Sequence, residues 1–134
     1  MNNFQPYILN TQDIEIAVIP VFLPDSSNID EGLYVWAYQV EITNGRSSWV
    51  QLLSRYWHIT DGMGRVEEVE GEGVVGEQPI IQPGASYRYA SGCPLPTDTG
   101  MMRGHYVFMD DQHQEFRIPI PPFSLDMQGD HPIH

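Results

Sequence analysis

Residues Tyr34 to Thr43 alternate strictly, and this limits the fold more than any other feature of the chain. Tyr34, Trp36, Tyr38, Val40 and Ile42 fall on one face; Val35, Ala37, Gln39, Glu41 and Thr43 fall on the other. Period two, with aromatic and β-branched residues on one side, marks a half-buried strand. Ile14 to Phe22 repeats the pattern, with Ile14, Ile16 and Val18 on the apolar face and Pro20 marking an edge or the end of pairing. Nowhere does an apolar stripe of helical period last three turns. A strand face this aromatic needs a second layer to cover it. The spacing therefore predicts an all-β sandwich of about seven or eight short strands rather than a barrel.

Val50 to Thr60 reads as a third strand with an irregular face. Leu53, Trp57 and Ile59 share a side, and Arg55 shares it too. A fully buried, unpaired guanidinium is too costly. Either a bulge near Ser54 resets the register, or Arg55 is partly buried against an acidic or carbonyl partner. Val66–Val69, Ile80–Ile81 and Ser86–Ala90 read as further strands, and His105–Met109 with Phe116–Ile120 as the last hairpin. Asn44–Gly45, Asp61–Gly64 and Pro83–Gly84 are turns, the last of type II chemistry. Residues 1–13 read as irregular, 23–32 and 91–100 as loops, and prolines 119, 121 and 122 as the end of regular structure. The 134 residues are expected to form one domain, with a core over 5–127 and a tail over 128–134.

Charge narrows the classes of partner. Six basic against eighteen acidic residues give a net charge of −12, and all six basic residues are arginine. Nucleic-acid binding needs a basic face that displaces counterions, which is hard to build here, so no nucleic-acid partner is expected. An acidic membrane surface would repel the chain. No apolar run approaches the roughly 20 residues of a spanning helix. The opening MNNFQPYILN lacks the segments of a signal peptide, and Cys93, the single cysteine, permits no internal disulfide. These features favour the cytoplasm.

Val69 to Gly84, VEGEGVVGEQPIIQPG, contains the G-x-G-x-x-G spacing Gly71, Gly73, Gly76. In a dinucleotide fold such glycines open a helix whose first amides face phosphate. Here Glu77, Gln78 and Pro79 follow, no helix is plausible, and Glu72 and Glu77 would repel phosphate. Glycines permitting positive φ and close packing in a tight loop are the favoured reading. Successive amides can nevertheless cradle an anion without a helix. Gly71, Gly73, Val74, Val75 and Gly76 therefore stand as a candidate anion-binding loop, with Arg55 or Arg65 to supply charge.

The acidic run Asp61, Glu67, Glu68, Glu70, Glu72 and Glu77 suits a hard cation by composition. Yet alternation splits Glu67 from Glu68, and His58, His105 and His113 lack paired ligand spacing. A solvated acidic surface is expected, and no metal site is assigned. Cys93 has no base and orienting group at a telling spacing, so no catalytic residue is assigned. Trp49, beside the Ser47–Ser48 turn, and Trp57 are the candidate contacts for a partner, since tryptophan and arginine dominate interface hot spots.

The third strand and the glycine-rich stretch, taken together, resemble the ApaG family. Val50-Gln51-Leu52 with Arg55, Trp57, Ile59 and Asp61 carry the likeness, followed by Gly71 to Pro79 and Pro83–Gly84. Tyr89, Ser91–Gly92, Thr97, Gly100, Met102, Gly104 and Tyr106 continue it; Phe116, Ile120–Pro121 and Phe123 complete it. The resemblance implies a fibronectin type III-like, immunoglobulin-like β-sandwich without a known catalytic activity, and no cofactor. It links bacterial members genetically to cobalt and magnesium resistance and to a neighbouring diadenosine tetraphosphate hydrolase; eukaryotic members suggest protein binding.

The leading expectation is a non-catalytic protein-interaction module connected to divalent cation homeostasis. A sensor of pyrophosphate or a dinucleoside polyphosphate at the glycine loop comes second, and a phosphohydrolase third. A protein partner is expected first. A second copy, pairing through an open edge strand, and a phosphate-containing small molecule are the other candidates.

Overall fold

The structure, a computed structural model, describes residues 5–127. Among the described residues, nine strands form two antiparallel sheets. Across the first lie β1 (Tyr7–Thr11), β2 (Ile14–Phe22), β3 (Tyr34–Asn44) and β7 (Ser86–Leu95), in that order. Across the second lie β5 (Val66–Glu72), β4 (Val50–Asp61), β8 (Thr99–Asp110) and β9 (Glu115–Asp126), with β6 (Ile80–Ile81) also paired to β4. The expected sandwich is present, with one strand more than the upper count read from the sequence.

Alternation sets the core. Ile14, Ile16 and Val18 of β2 and Trp36, Val40 and Ile42 of β3 are buried, and face Leu52, Trp57, Tyr106, Phe108, Ile118, Ile120 and Phe123 of the second sheet. Full burial of a side chain of this kind contributes about 1.5–3 kcal/mol, so the two inner faces supply most of the cohesion. Asn44 is the buried polar residue among those described. Its side-chain amide donates to Ser48 O at 3.0 Å and Ile81 O at 2.9 Å, and its Oδ1 accepts from Arg46 N at 2.9 Å. The Asn44–Gly45 turn is thus a locked corner where the chain leaves one sheet for the other.

Three readings of the sequence need correction. The N-terminal segment is not irregular throughout. Tyr7–Thr11 pairs with β2, joined through Gln12 and Asp13, both at positive φ. That is the dihedral pattern of a tight two-residue hairpin without its usual Asn-Gly signal. The 91–100 stretch is not a loop. β7 continues along β3 to Leu95 and β8 starts at Thr99; β7 is an edge strand, where Pro94 is tolerated. Nor do the prolines end regular structure. β9 runs to Asp126, with Met102 opposite Phe123 and Gly104 opposite Ile120, so Pro121–Pro122 sit in a bulge on the outermost strand. The 23–32 loop contains two single-turn 3-10 segments, Pro24–Ser26 and Ile29–Glu31. The expected tail over 128–134 lies outside the described residues. Among those described, no helix is long and apolar enough to cross a membrane.

Candidate functional site

The irregular face of β4 resolves into both of the expected devices at once. The β4–β8 register shifts between Leu52 and Ser54, which turns Arg55 to the inner side beside Trp57. Arg55 is half-buried, and its Nη1 donates to Gly73 O at 2.9 Å and Glu72 O at 3.3 Å. The partner is a pair of carbonyls rather than a carboxylate.

This bulge explains the glycine-rich stretch. A bulge leaves backbone groups out of the ladder, and buried ones need partners. Leu53 O accepts from Gly73 N at 2.8 Å and from Gln78 Nε2 at 2.8 Å, and Leu52 N donates to Pro79 O at 3.0 Å. Gly71 lies inside β5, opposite Arg55. A Cβ at Gly71 would come within 2.8 Å of Arg55 Nη1; one at Gly73, whose φ is +66°, would meet Glu77 O. Val74 and Glu77 exchange two backbone hydrogen bonds, at 2.8 and 2.9 Å, around Val75 and Gly76, both at positive φ. The G-x-G-x-x-G spacing is therefore a tight hairpin packed against a guanidinium and stitched to a bulge. The amides of Gly73, Val74 and Glu77 all donate within the protein, so they do not converge on a ligand position. Val74 is fully buried, and Val75 stands exposed at the tip.

Of the residues named for anion binding, the structure brings Arg55 to Gly71 and Gly73 and leaves Arg65 apart. Arg65 precedes β5 at the end opposite to Gly73, and seven strand residues at about 3.3 Å each separate them by more than 20 Å. Trp57 is buried to 2% exposure and packs edge-on to Tyr38 and Phe123. It belongs to the core, because the bulge returns it to the inner face, and offers no surface to a protein partner. Trp49 is half-buried in the crossover before β4.

The titratable groups are distributed without a catalytic set. Cys93 is buried on the inner side of β7, and burial pushes its thiol up to about 11. His105 lies on the outer side of β8, stacked on Tyr56, and burial with nearby Arg117 lowers its pKa. The two residues face away from each other across a sheet. Tyr56 donates to Glu68 Oε2 at 2.5 Å on that same outer face. Among the described residues no three of His, Cys, Asp and Glu converge to hold a metal ion.

Two hollows merit description. On the outer face of the first sheet, Pro6, Ile8, Ala17, Ile19 and Ala90 line a groove of about 540 Å³ flanked by Glu15 and by the Arg88–Glu41 ion pair at 2.9 Å. Between the sheets, at the margin where β5 faces β7, a cleft of about 190 Å³ is lined by Tyr38, Arg55, Trp57, Glu67, Ser91 and Cys93 among others. Sequence reasoning missed the groove, because no single strand shows how Ile8, Ile19 and Ala90 combine once β1, β2, β3 and β7 lie side by side.

Comparison with known proteins agrees with the geometry. Residues 24–110 match the family model of the ApaG domain. Protein ApaG of Mesorhizobium japonicum is 56% identical over 119 residues, covering 89% of this chain and 92% of that protein. Protein ApaG of Methylocella silvestris is 53% identical over 120 residues, 90% and 92% of the two chains. The crystal structure of a Bordetella pertussis protein described as ApaA superposes with a TM-score of 0.84 at 45% identity, covering 90% of this chain and 98% of that one. Matches of this extent, in sequence and in fold, establish that the chain belongs to the ApaG family.

Proposed function

We propose that the chain is a non-catalytic binding module that receives a protein partner on the outer face of its first sheet. The observation that carries this reading is the apolar groove there. Outward positions of a solvated antiparallel sheet are ordinarily polar, yet Ile8 is 54% exposed and is joined by Ala17 and Ile19, with Ala90 beyond the exposed Gln39, in one concave strip. A mostly apolar concave surface with one central amide, Gln39, and a charged rim is how a partner site looks. With a net charge of −12 around it, the groove favours an apolar segment flanked by basic residues. The separation of Cys93 from His105 supports a binding role over hydrolysis. On this reading the module works in the cytoplasm, and its link to divalent cation homeostasis passes through the partner.

A photo-crosslinking residue placed at Ile19 tests this in cells that express the protein. The expected outcome is a discrete adduct that Ala17→Arg abolishes, while the same probe at His58, on the outer face of the other sheet, yields none. Equal labelling from both faces, or an Ile19 adduct indifferent to Ala17→Arg, would overturn the assignment.

A further inference from the structure

The cleft between β5 and β7 holds more donor capacity than the protein uses. Arg55 donates through Nη1 alone; among the described residues its Nε and Nη2 have no protein partner. No carboxylate neutralises it, the ion pair among those residues being Arg88 with Glu41. Trp57 lines the same cleft, is 2% exposed, and its indole Nε1–H has no partner. A buried donor without an acceptor is uncommon and unfavourable. Trp36 Nε1 is also unpaired, but Trp36 packs on Phe22 and does not line the cleft, so an orphan indole alone marks nothing. Trp57 Nε1 is likewise closed to solvent, so its ring forms a wall of the cleft and the donor capacity rests with the unneutralised guanidinium. The hydroxyls of Tyr38 and Ser91 border the same space.

We propose that this cleft binds a small oxyanion, a carboxylate or a phosphate group, with Arg55 as its charge partner and the Trp57 ring as one of its walls. A planar guanidinium with two free donor positions fits either group in a forked arrangement. The volume of about 190 Å³ admits a phosphate, a pyrophosphate or a short dicarboxylate, and is too small to enclose a dinucleotide. Arg55 acts here from its inner side, away from the Val75–Gly76 tip, so the site differs from a phosphate cradle in the hairpin. Glu67 at the mouth opposes an anion and sets a limit on affinity. The site is also separate from the outer groove, and its failure would leave that reading untouched.

The three tryptophans give three indole signals in a nitrogen–proton NMR spectrum of the labelled protein, and Trp57→Phe identifies one of them. Inorganic phosphate, pyrophosphate and succinate are titrated separately, which distinguishes phosphate from carboxylate ligands. The expected result is a saturable shift of the Trp57 signal by at least one probe. Arg55→Gln weakens binding by roughly ten-fold or more, and Arg55→Lys weakens it less. Glu67→Gln, at an exposed position that leaves the core intact, tightens binding several-fold. That gain is not expected if Arg55 were merely structural, and it keeps the test decisive should Arg55→Gln unfold. The proposal fails if millimolar amounts of all three probes leave the Trp57 signal in place. It fails equally if Glu67→Gln changes nothing, or if only the Val75 and Gly76 amides move.

Discussion

The two long margins of the sandwich differ in kind. Where β1 and β2 lie against β9, hydrocarbon closes the gap. Phe123 reaches from β9 to Tyr7, Tyr38 and Trp57, with ring centroids 5.8–6.1 Å apart. No comparable contact joins β5 to β7, and the inner positions there mix Arg55 of β4, Glu67, Ser91 and Cys93 with Val69 and Tyr89. Apolar packing is non-directional and gains from every atom added. Polar groups must instead be matched one by one. The closed margin is therefore where this protein holds itself together, and the open margin is where it keeps polar groups in reserve.

The largest effect is expected at the closed margin. Phe123 is 1% exposed, so Phe123→Ala removes a buried ring between two sheets and should cost about 3–5 kcal/mol in urea unfolding. A cost near that of an ordinary surface change would break the contrast, because the aromatic contacts would then add little to cohesion.

The same contrast explains what the sequence made legible. β2 and β3 were visible because their inner faces are apolar up to Asn44 at the end of β3, and period two survives with nothing to interrupt it. β7 beyond Ala90 and β9 beyond Ile120 were hidden, since Gly92, Pro94 and Pro121–Pro122 read as breakers. An edge strand pairs on one side only, and it accepts such residues when its neighbour, here β3 or β8, is regular enough to template it. Arg55 was legible as an anomaly, and both physical remedies for it proved to be in use. The glycine motif was legible as a tight loop, but its hairpin and its purpose were not. Its reason lies in Leu53, twenty residues upstream, whose carbonyl it satisfies, and no local pattern encodes that. The groove and the cleft depend on which strands become neighbours, which alternation leaves open.

A smaller effect is expected where the margins are polar. The hydroxyls of Tyr89 and Tyr106 hydrogen-bond to each other across the two sheets, and Tyr106 is fully buried. Tyr89→Phe strands the Tyr106 hydroxyl and should cost about 1–3 kcal/mol. Adding Tyr106→Phe removes the stranded group, so the double variant should be no less stable than the single one. Additive losses in that cycle would show that the hydroxyls act independently, and the open margin would then resemble the closed one.

The smallest effect depends on pH and also separates the two margins. The Cys93 thiol, ordinarily near 9, is held at about 11 by burial, with Glu67 adding to the shift. Burial also raises Tyr89 and Tyr106 above the usual tyrosine value of 10. Between the ordinary and the raised value, the unfolded chain has released a proton that the folded chain still binds. Folding is then penalised as pH rises. The contribution is whole below about pH 9 and is lost as pH climbs towards 11, amounting to about 1 kcal/mol for Cys93 by pH 10. Urea midpoints at pH 7, 9 and 10 should therefore fall for the unaltered protein. Cys93→Ala should start lower and fall less steeply. Phe123→Ala should start lower still and keep the original slope, because its loss is apolar and carries no proton. If Cys93→Ala retained the full slope, the proton linkage would lie elsewhere, and burial of the thiol at the open margin would contribute nothing to it.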